Sequence, residues 1–98
     1  MAEQEPSDYS LSANYPNPFN PATVIDYALP EKNAVMLQIF DLTGKLVRTL
    51  VNAEQSAGRY RVEWDGQNAN GQPQASGVYF YKMTAGAYAE TRKMLLVR

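Results

Sequence analysis

The side chains best equipped for chemistry in this chain are carboxylates. Asp41 (Asp41-Leu42-Thr43-Gly44) and Asp65 (Asp65-Gly66) each stand where a strand pattern gives way to a turn. Two carboxylates at one end of a sandwich are the equipment of glycoside hydrolysis, one donating a proton while the other attacks or activates water. The same residue type in the same setting also bonds its own backbone in an Asx turn. Nothing in the sequence marks either as buried or perturbed, so the turn reading is preferred. Asp65, Asn68 and Asn70 with Gly71 have a trace of a calcium loop. Such a loop needs alternating oxygen ligands and a bidentate Glu at about its twelfth position. Position 76 is Ser and Ala69 interrupts the set, so a hairpin loop is expected.

The chain has no Cys and no His. That excludes disulfides, thiol nucleophiles, thiolate or imidazole metal sites and every Ser-His triad. No catalytic residue, metal ligand or cofactor is assigned. Phosphate-cradling glycine loops and basic-aromatic nucleic-acid surfaces are also missing from the sequence, and the formal net charge of −1 argues against nucleic acid as a partner. Aromatic residues make up 11%, with seven Tyr and one Trp, which raises the possibility of a sugar-stacking platform. Tyr60, Trp64, Tyr79 and Tyr81 fall at alternating strand positions, which is core spacing. Phe80, Tyr88 and Tyr15 are freer.

Ninety-eight residues, 45% hydrophobic and 19% charged, suffice for one small folded domain. Apolar runs fall far short of the roughly 20 residues a membrane helix needs. Residues 1–10 are expected to be a linker stub from an upstream protein, polar and acidic through Asp8, and no secretory signal peptide is expected in them. Leu11 to Pro21 (LSANYPNPFNP) should be an irregular edge segment, because proline cannot donate to a ladder. Tyr15 and Phe19 should plug it onto the sandwich.

From there the apolar period is two. Thr23, Ile25, Tyr27 and Leu29 alternate up to the stop at Pro30, and Val35, Leu37 and Ile39 alternate up to the Asp41–Gly44 turn. Lys45 to Val51 should pair back as a hairpin, with Asn52 to Gly58 as a loop. Tyr60, Val62 and Trp64 form the clearest half-buried strand. After the 65–73 turn cluster, Ser76 to Ala85 is a strand with Tyr79, Tyr81 and Met83 inward. Ala87 to Val97 returns with Met94 and Leu96 inward and Lys93 exposed. No helical period competes and no internal repeat is visible. The pattern predicts an all-β fold, an immunoglobulin-like antiparallel β-sandwich of about seven strands.

Charge is unevenly spread. Residues 1–31 carry Glu3, Glu5, Asp8, Asp26 and Glu31 with no Lys or Arg, while residues 76–98 carry Lys82, Arg92, Lys93 and Arg98 against Glu90. The simple reading is that the two ends lie together and neutralise one another; the sharper one is a basic address for a receptor.

An ordered series of motifs runs along this frame. It starts with Asn14-Tyr15-Pro16-Asn17-Pro18-Phe19-Asn20-Pro21, then Thr23-x-Ile25-x-Tyr27-x-Leu29-Pro30 and Ile39-Phe40-Asp41-Leu42-Thr43-Gly44-Lys45-Leu46-Val47. Ala57-Gly58-Arg59-Tyr60, Trp64-Asp65-Gly66, Asn70-Gly71 and Ser76-Gly77-Val78-Tyr79-Phe80-Tyr81 follow. The terminal run is Thr91-Arg92-Lys93-Met94-Leu95-Leu96-Val97-Arg98. Each motif alone is weak, but the series from Leu11 to Arg98 resembles the C-terminal sorting domain (type A) of proteins exported by the type IX secretion system. More distantly it resembles the immunoglobulin-like domain of the flagellar hook-capping protein.

The resemblance implies that residues 11–98 are a non-catalytic targeting domain ending a secreted enzyme or adhesin. Its partners would be the outer-membrane translocon, a sortase-like protease and the covalently linked cargo upstream. Its route would be periplasm in transit, then secretion or the cell surface, with removal or attachment later. The segments it implicates in recognition are Gly77, Tyr79, Lys93, Met94, Leu95, Leu96, Val97 and Arg98, with an N-terminal motif of Tyr15, Pro16, Asn17, Pro18, Phe19, Asn20 and Pro21. If the last strand lies at a sheet edge, strand addition or an edge-strand patch is a route to recognition, and weak self-association through edge strands is a further expectation. The competing reading is a carbohydrate-binding or adhesive sandwich attached to an extracellular hydrolase.

Overall fold

The computed structural model describes residues 6–98, so most of the acidic stretch, 1–5, lies outside the described residues. Seven strands follow in order: β1 (Ser10–Leu11), β2 (Thr23–Leu29), β3 (Asn33–Asp41), β4 (Leu46–Gln55), β5 (Gly58–Trp64), β6 (Gly77–Ala85) and β7 (Tyr88–Leu96). They make two antiparallel sheets, one ordered β1-β2-β5 and the other β4-β3-β6-β7. The expected sandwich is thus observed, with seven strands and the predicted β3–β4 and β6–β7 hairpins.

Alternation explains which side chains meet between the sheets. Ile25, Tyr27 and Leu29 point inward from β2, Val35, Leu37 and Ile39 from β3, Tyr79, Tyr81 and Met83 from β6, and Met94 and Leu96 from β7. Trp64 is fully buried. Its ring meets Phe19 at 5.6 Å and Tyr79 edge-on at 5.3 Å, and its indole donates to the carbonyl of Gln67 at 2.9 Å. The ring therefore ties β5 to the other layer while its one polar atom stays satisfied.

One boundary differs from the sequence reading. Asn52 to Gly58 was expected as a loop, yet β4 continues to Gln55 and β5 begins at Gly58. Asn52–Gln55 pairs with Asn33–Met36 of β3, so the backbone ladder carries this polar stretch, with the Tyr27 hydroxyl donating to Gln55 at 2.7 Å. The doublets Leu46-Val47 and Leu50-Val51 also break strict alternation. Two register shifts in the β3–β4 ladder absorb them, leaving Val47 buried and Leu46 turned to solvent. At the other end, folded structure starts ahead of Leu11. Ser10 pairs with Ala28, and the Tyr9 ring stacks on Tyr88 at 5.1 Å.

Truncating Trp64 to Ala should cost about 3–5 kcal/mol, because the site is enclosed and cannot collapse around the loss. Urea denaturation of the two proteins measures it; a change of a few tenths would show that the ring is not central to the core.

Candidate recognition surface

The sequence motif 15–21 forms part of a strap that closes one side of the sandwich. The chain leaves β1 at Leu11, and the Ser12 amide donates to Asp26 of β2 at 2.9 Å. The buried Tyr81 phenol of the opposite sheet donates to the Ser12 carbonyl at 2.7 Å and accepts from the Asn14 amide at 2.9 Å. Burial pushes this phenol's pKa up, so it remains a donor. Asn14 is itself buried, and its amide group reaches Thr23 at 2.9 Å. Tyr81 thus fixes the strap to one layer, while Ser12 and Asn14 fix it to the other.

Further along, the strap touches β2 and then crosses to β7. Tyr15 bridges Val24 through its backbone, and its hydroxyl donates to Asp26, 3.2 Å away. Asp26 also accepts from Arg61 at 2.9 Å, and that guanidinium lies 5.7 Å over the Tyr15 ring. The Arg61 hydrogen bond holds the Asp26 carboxyl below its ordinary value, partly offset by desolvation. The Phe19 amide then donates to the Leu95 carbonyl at 3.0 Å, and the Val97 amide donates to the Phe19 carbonyl at 2.9 Å. The Leu95 amide donates to Oδ1 of Asn17 at 3.0 Å. The two segments singled out in the sequence are therefore laid side by side.

This arrangement revises the strand-addition route. β7 is an edge strand, but the strap already occupies its outer side at Leu95 and Val97. By alternation the outward backbone left for another strand belongs to Ala89, Thr91 and Lys93.

Arg98 is also placed differently from a free terminal charge. Its Nε donates to the Gln74 carbonyl at 2.5 Å and its Nη2 to the Gly66 carbonyl at 2.8 Å, while its backbone amide donates to Ser76 at 2.9 Å. Gly66 has φ +77°, and a Cβ there would stand 2.9 Å from both Arg98 Nη2 and the Pro21 carbonyl. Glycine is required by the turn and by this approach together. The strap, the 65–76 loop and the C-terminal residue thus lock one end of the molecule. Arg92 is similarly engaged, with Glu90 at 3.1 Å and with the Leu11 carbonyl. The two ends do meet, but through backbone carbonyls: none of the four ion pairs among the described residues joins the acidic N-terminal stretch to the basic C-terminal one.

Of the remaining recognition candidates, Tyr79, Met94, Leu96 and Phe19 are buried and act as scaffold. Gly77 opens β6 opposite Leu96. Lys93, Leu95 and Val97 face outward, as do Tyr15, Pro16, Asn17, Pro18, Asn20 and Pro21. Sequence reasoning missed Gly66, Gln74 and Ser76 as the seat of Arg98, since two of the three contacts use main-chain oxygens that any residue supplies.

The alternative chemistries find their residues occupied. The Asp41 carboxylate accepts from Thr43 and from the Lys45 amide, and the Thr43 contact first among these holds it below the ordinary carboxylate value. Asp65 accepts from Gln67 and Arg48, and Asn68 Oδ1 from Asn70 and Gln72. Tyr15, Phe80 and Tyr88 lie apart, on the outer face of one sheet, the outer face of the other and beside Tyr9.

Residues 21–88 match the family model for the FlgD Ig-like domain. No curated protein matches the chain. Among solved structures it is similar to dimeric latent PorU from Porphyromonas gingivalis, with a TM-score of 0.71 and 20% identity over 87% of this chain and 9% of that one. It is similar to PorZ, described as an essential surface component of the type IX secretion system of the same organism, with a TM-score of 0.61 and 24% identity over 92% of this chain and 11% of PorZ. FlgD from P. aeruginosa gives a TM-score of 0.59 and 20% identity over 78% of this chain and 64% of that one. At these identities the likeness is one of fold, and the chain spans about a tenth of the PorU and PorZ chains.

Two measurements check this surface. Arg98→Ala should cost about 1–2 kcal/mol through its lost hydrogen bonds, whereas Lys93→Glu, on the exposed face, should stay within about 0.5 kcal/mol. Equal costs in chemical denaturation would contradict the clamp. The Asp26 shift also sets a pH dependence. A carboxyl held below its unfolded value near 3.8 stabilises the fold above that value, and the contribution is lost as pH falls through the folded value. Asp26→Asn should therefore flatten the acid limb of the thermal-midpoint profile; an unchanged limb would remove the Tyr15–Asp26–Arg61 contact from the account.

Proposed function

The chain belongs to the FlgD Ig-like domain family, and from that footing we propose that it is a non-catalytic targeting domain that directs an attached protein across the outer membrane by the type IX secretion system. One observation carries the reading. The family match covers 21–88, and the strap residues 15–20 and the tail 89–98 both lie outside it. Those two segments, far apart in sequence, are hydrogen-bonded to each other on one edge of the sandwich. The Ig-like sandwich thus carries on one edge a surface built from segments near both ends of the chain, of the kind a common address on many cargos requires. The fold likeness to PorZ supports the assignment to this secretion system.

The geometry also gives the address its physical form. Recognition favours a surface that loses little freedom on binding. Here Phe19 is buried, Arg98 is clamped and Tyr81 holds the strap, so Pro18, Lys93, Leu95 and Val97 are presented on a fixed frame. A translocon component reads that frame, and the protein leaves the periplasm for the cell surface or the medium. The attached cargo lies upstream. Tyr9 donates to Glu31 at 3.2 Å, accepts from Asn33 at 3.0 Å and stacks on Tyr88, so processing by a sortase-like protease falls N-terminal to this anchor.

The test is a fusion. Residues 1–98 appended to an inert periplasmic reporter, in a bacterium that has this system, should move the reporter outside the cell. The reporter alone should stay in the periplasm. Retention of the folded fusion at the level of the unfused reporter overturns the proposal.

A further inference from the structure

The outer faces of the two sheets differ in kind. Beyond the strap's Tyr15, the face of β2 and β5 presents Asp26, Arg59, Arg61 and Glu63, with Asp26 and Arg61 paired. On the other sheet the cross-strand registers align Leu46, Phe40, Phe80 and Lys93 in one row, with Val78 opposite Leu95 beside it and Gln38 opposite Lys82 on the other flank. Leu46 is 47% exposed, Leu95 39% and Val97 46%, and both phenylalanines are half-buried. Apolar side chains therefore run across all four strands of an open face. Such a stripe is uncommon on a small domain without a partner.

The charges around the stripe say what covers it. Lys82 and Lys93 are both exposed and belong to none of the four ion pairs among the described residues. The carboxylates of this sheet's strands are already engaged: Glu54 with Lys32 at 3.5 Å, Glu90 with Arg92 at 3.1 Å, and Asp41 within its own turn. The face is thus apolar in the middle and cationic at its β6–β7 side, with no anion of its own to meet those cations. A second copy meeting it through the same face would bring two more lysines and no free carboxylate from the β6–β7 side of that face. An anionic bilayer is also a poor fit, since surface binding of that kind takes clusters of about 4–8 basic residues, and the side chains here stand in a flat ladder.

We propose that this face, centred on Phe40 and Phe80, docks a protein partner whose contact surface has an apolar centre and carboxylates placed to meet Lys82 and Lys93. The inference rests on the targeting function proposed above and assigns the translocon side of that contact its chemistry. Lys93, Leu95 and Val97 join the face to the strap, so the address is read across the outer sheet face as well as at the edge. Aromatic anchors supply affinity in such a contact, and the flanking charges supply selectivity and capture.

The reporter fusion tests it with four domain variants, each checked by thermal denaturation. Phe40→Thr with Phe80→Thr should lower the exported fraction by about tenfold or more. Lys82→Glu with Lys93→Glu should do the same, while Lys82→Arg with Lys93→Arg keeps export. Arg59→Glu with Glu63→Lys on the opposite face should export like the parent. If the unaltered fusion stays inside, the targeting function itself is overturned. If it is exported and the folded glutamate pair is exported equally, the acidic partner is overturned alone; this pair decides the matter even if the threonine pair does not fold. Folded threonine variants exported at the parent level overturn the apolar centre. Lysine-dependent sedimentation of the purified chain with phosphatidylglycerol vesicles would make the face a membrane contact, and a dimer lost in the threonine variants would make it a self-association surface. Either result overturns the protein partner.

Discussion

Phe19 is held twice, and the end of the sandwich depends on both holds. Its ring packs on Trp64 in the core, while its amide and carbonyl pair with Leu95 and Val97 at the rim. A side chain alone would leave the strap free to pivot, and two backbone hydrogen bonds alone would be open to competition from water. Together they fix where an irregular, proline-rich segment crosses from one sheet to the other. The edge of β7 is thereby capped at its C-terminal end, which removes part of the template that an open edge offers to other chains.

The same lock explains the fate of the terminal charge. With the strap in place, the Pro21 carbonyl and the backbone of Gly66 form a narrow seat, and Arg98 fills it by donating to main-chain oxygens. Arginine suits that seat because its planar fork can address two carbonyls at once and stays protonated. The basic C-terminus thus divides into two classes. Arg92 and Arg98 are tied to the frame, whereas Lys82 and Lys93 stand free on the outer face. A sum of charges along the sequence cannot make that distinction, because it depends on which carbonyls lie within reach.

Much of the fold was legible because β-structure writes its core at every second residue. Ile25–Leu29, Val35–Ile39 and Tyr79–Met83 all face the side that alternation assigned them. Polar stretches held only by their neighbours were not legible. Asn52–Gln55 has no apolar signature, and its strand character comes from β3. The site divided the same way. Residue types and order marked the strap and the tail as special, but their contact is a product of topology, as is the seat of Arg98. The Phe40–Phe80 pairing needed the observed register: the sequence places both phenylalanines opposite their strands' inward sets, yet says nothing of β3 lying beside β6.

That register also separates two duties within single strands. On β7, Met94 and Leu96 fill the core while Lys93 and Leu95, and Val97 just after the strand, face out. On β6, Tyr79, Tyr81 and Met83 are buried while Val78, Phe80 and Lys82 form the outer stripe. A strand's two faces accept substitutions independently so long as register holds. The inward set therefore carries stability and is constrained by packing, and the outward set is left to carry recognition. Deleting the tail would strike both sets together, whereas exposed substitutions at Lys82 and Lys93 address the outward set alone.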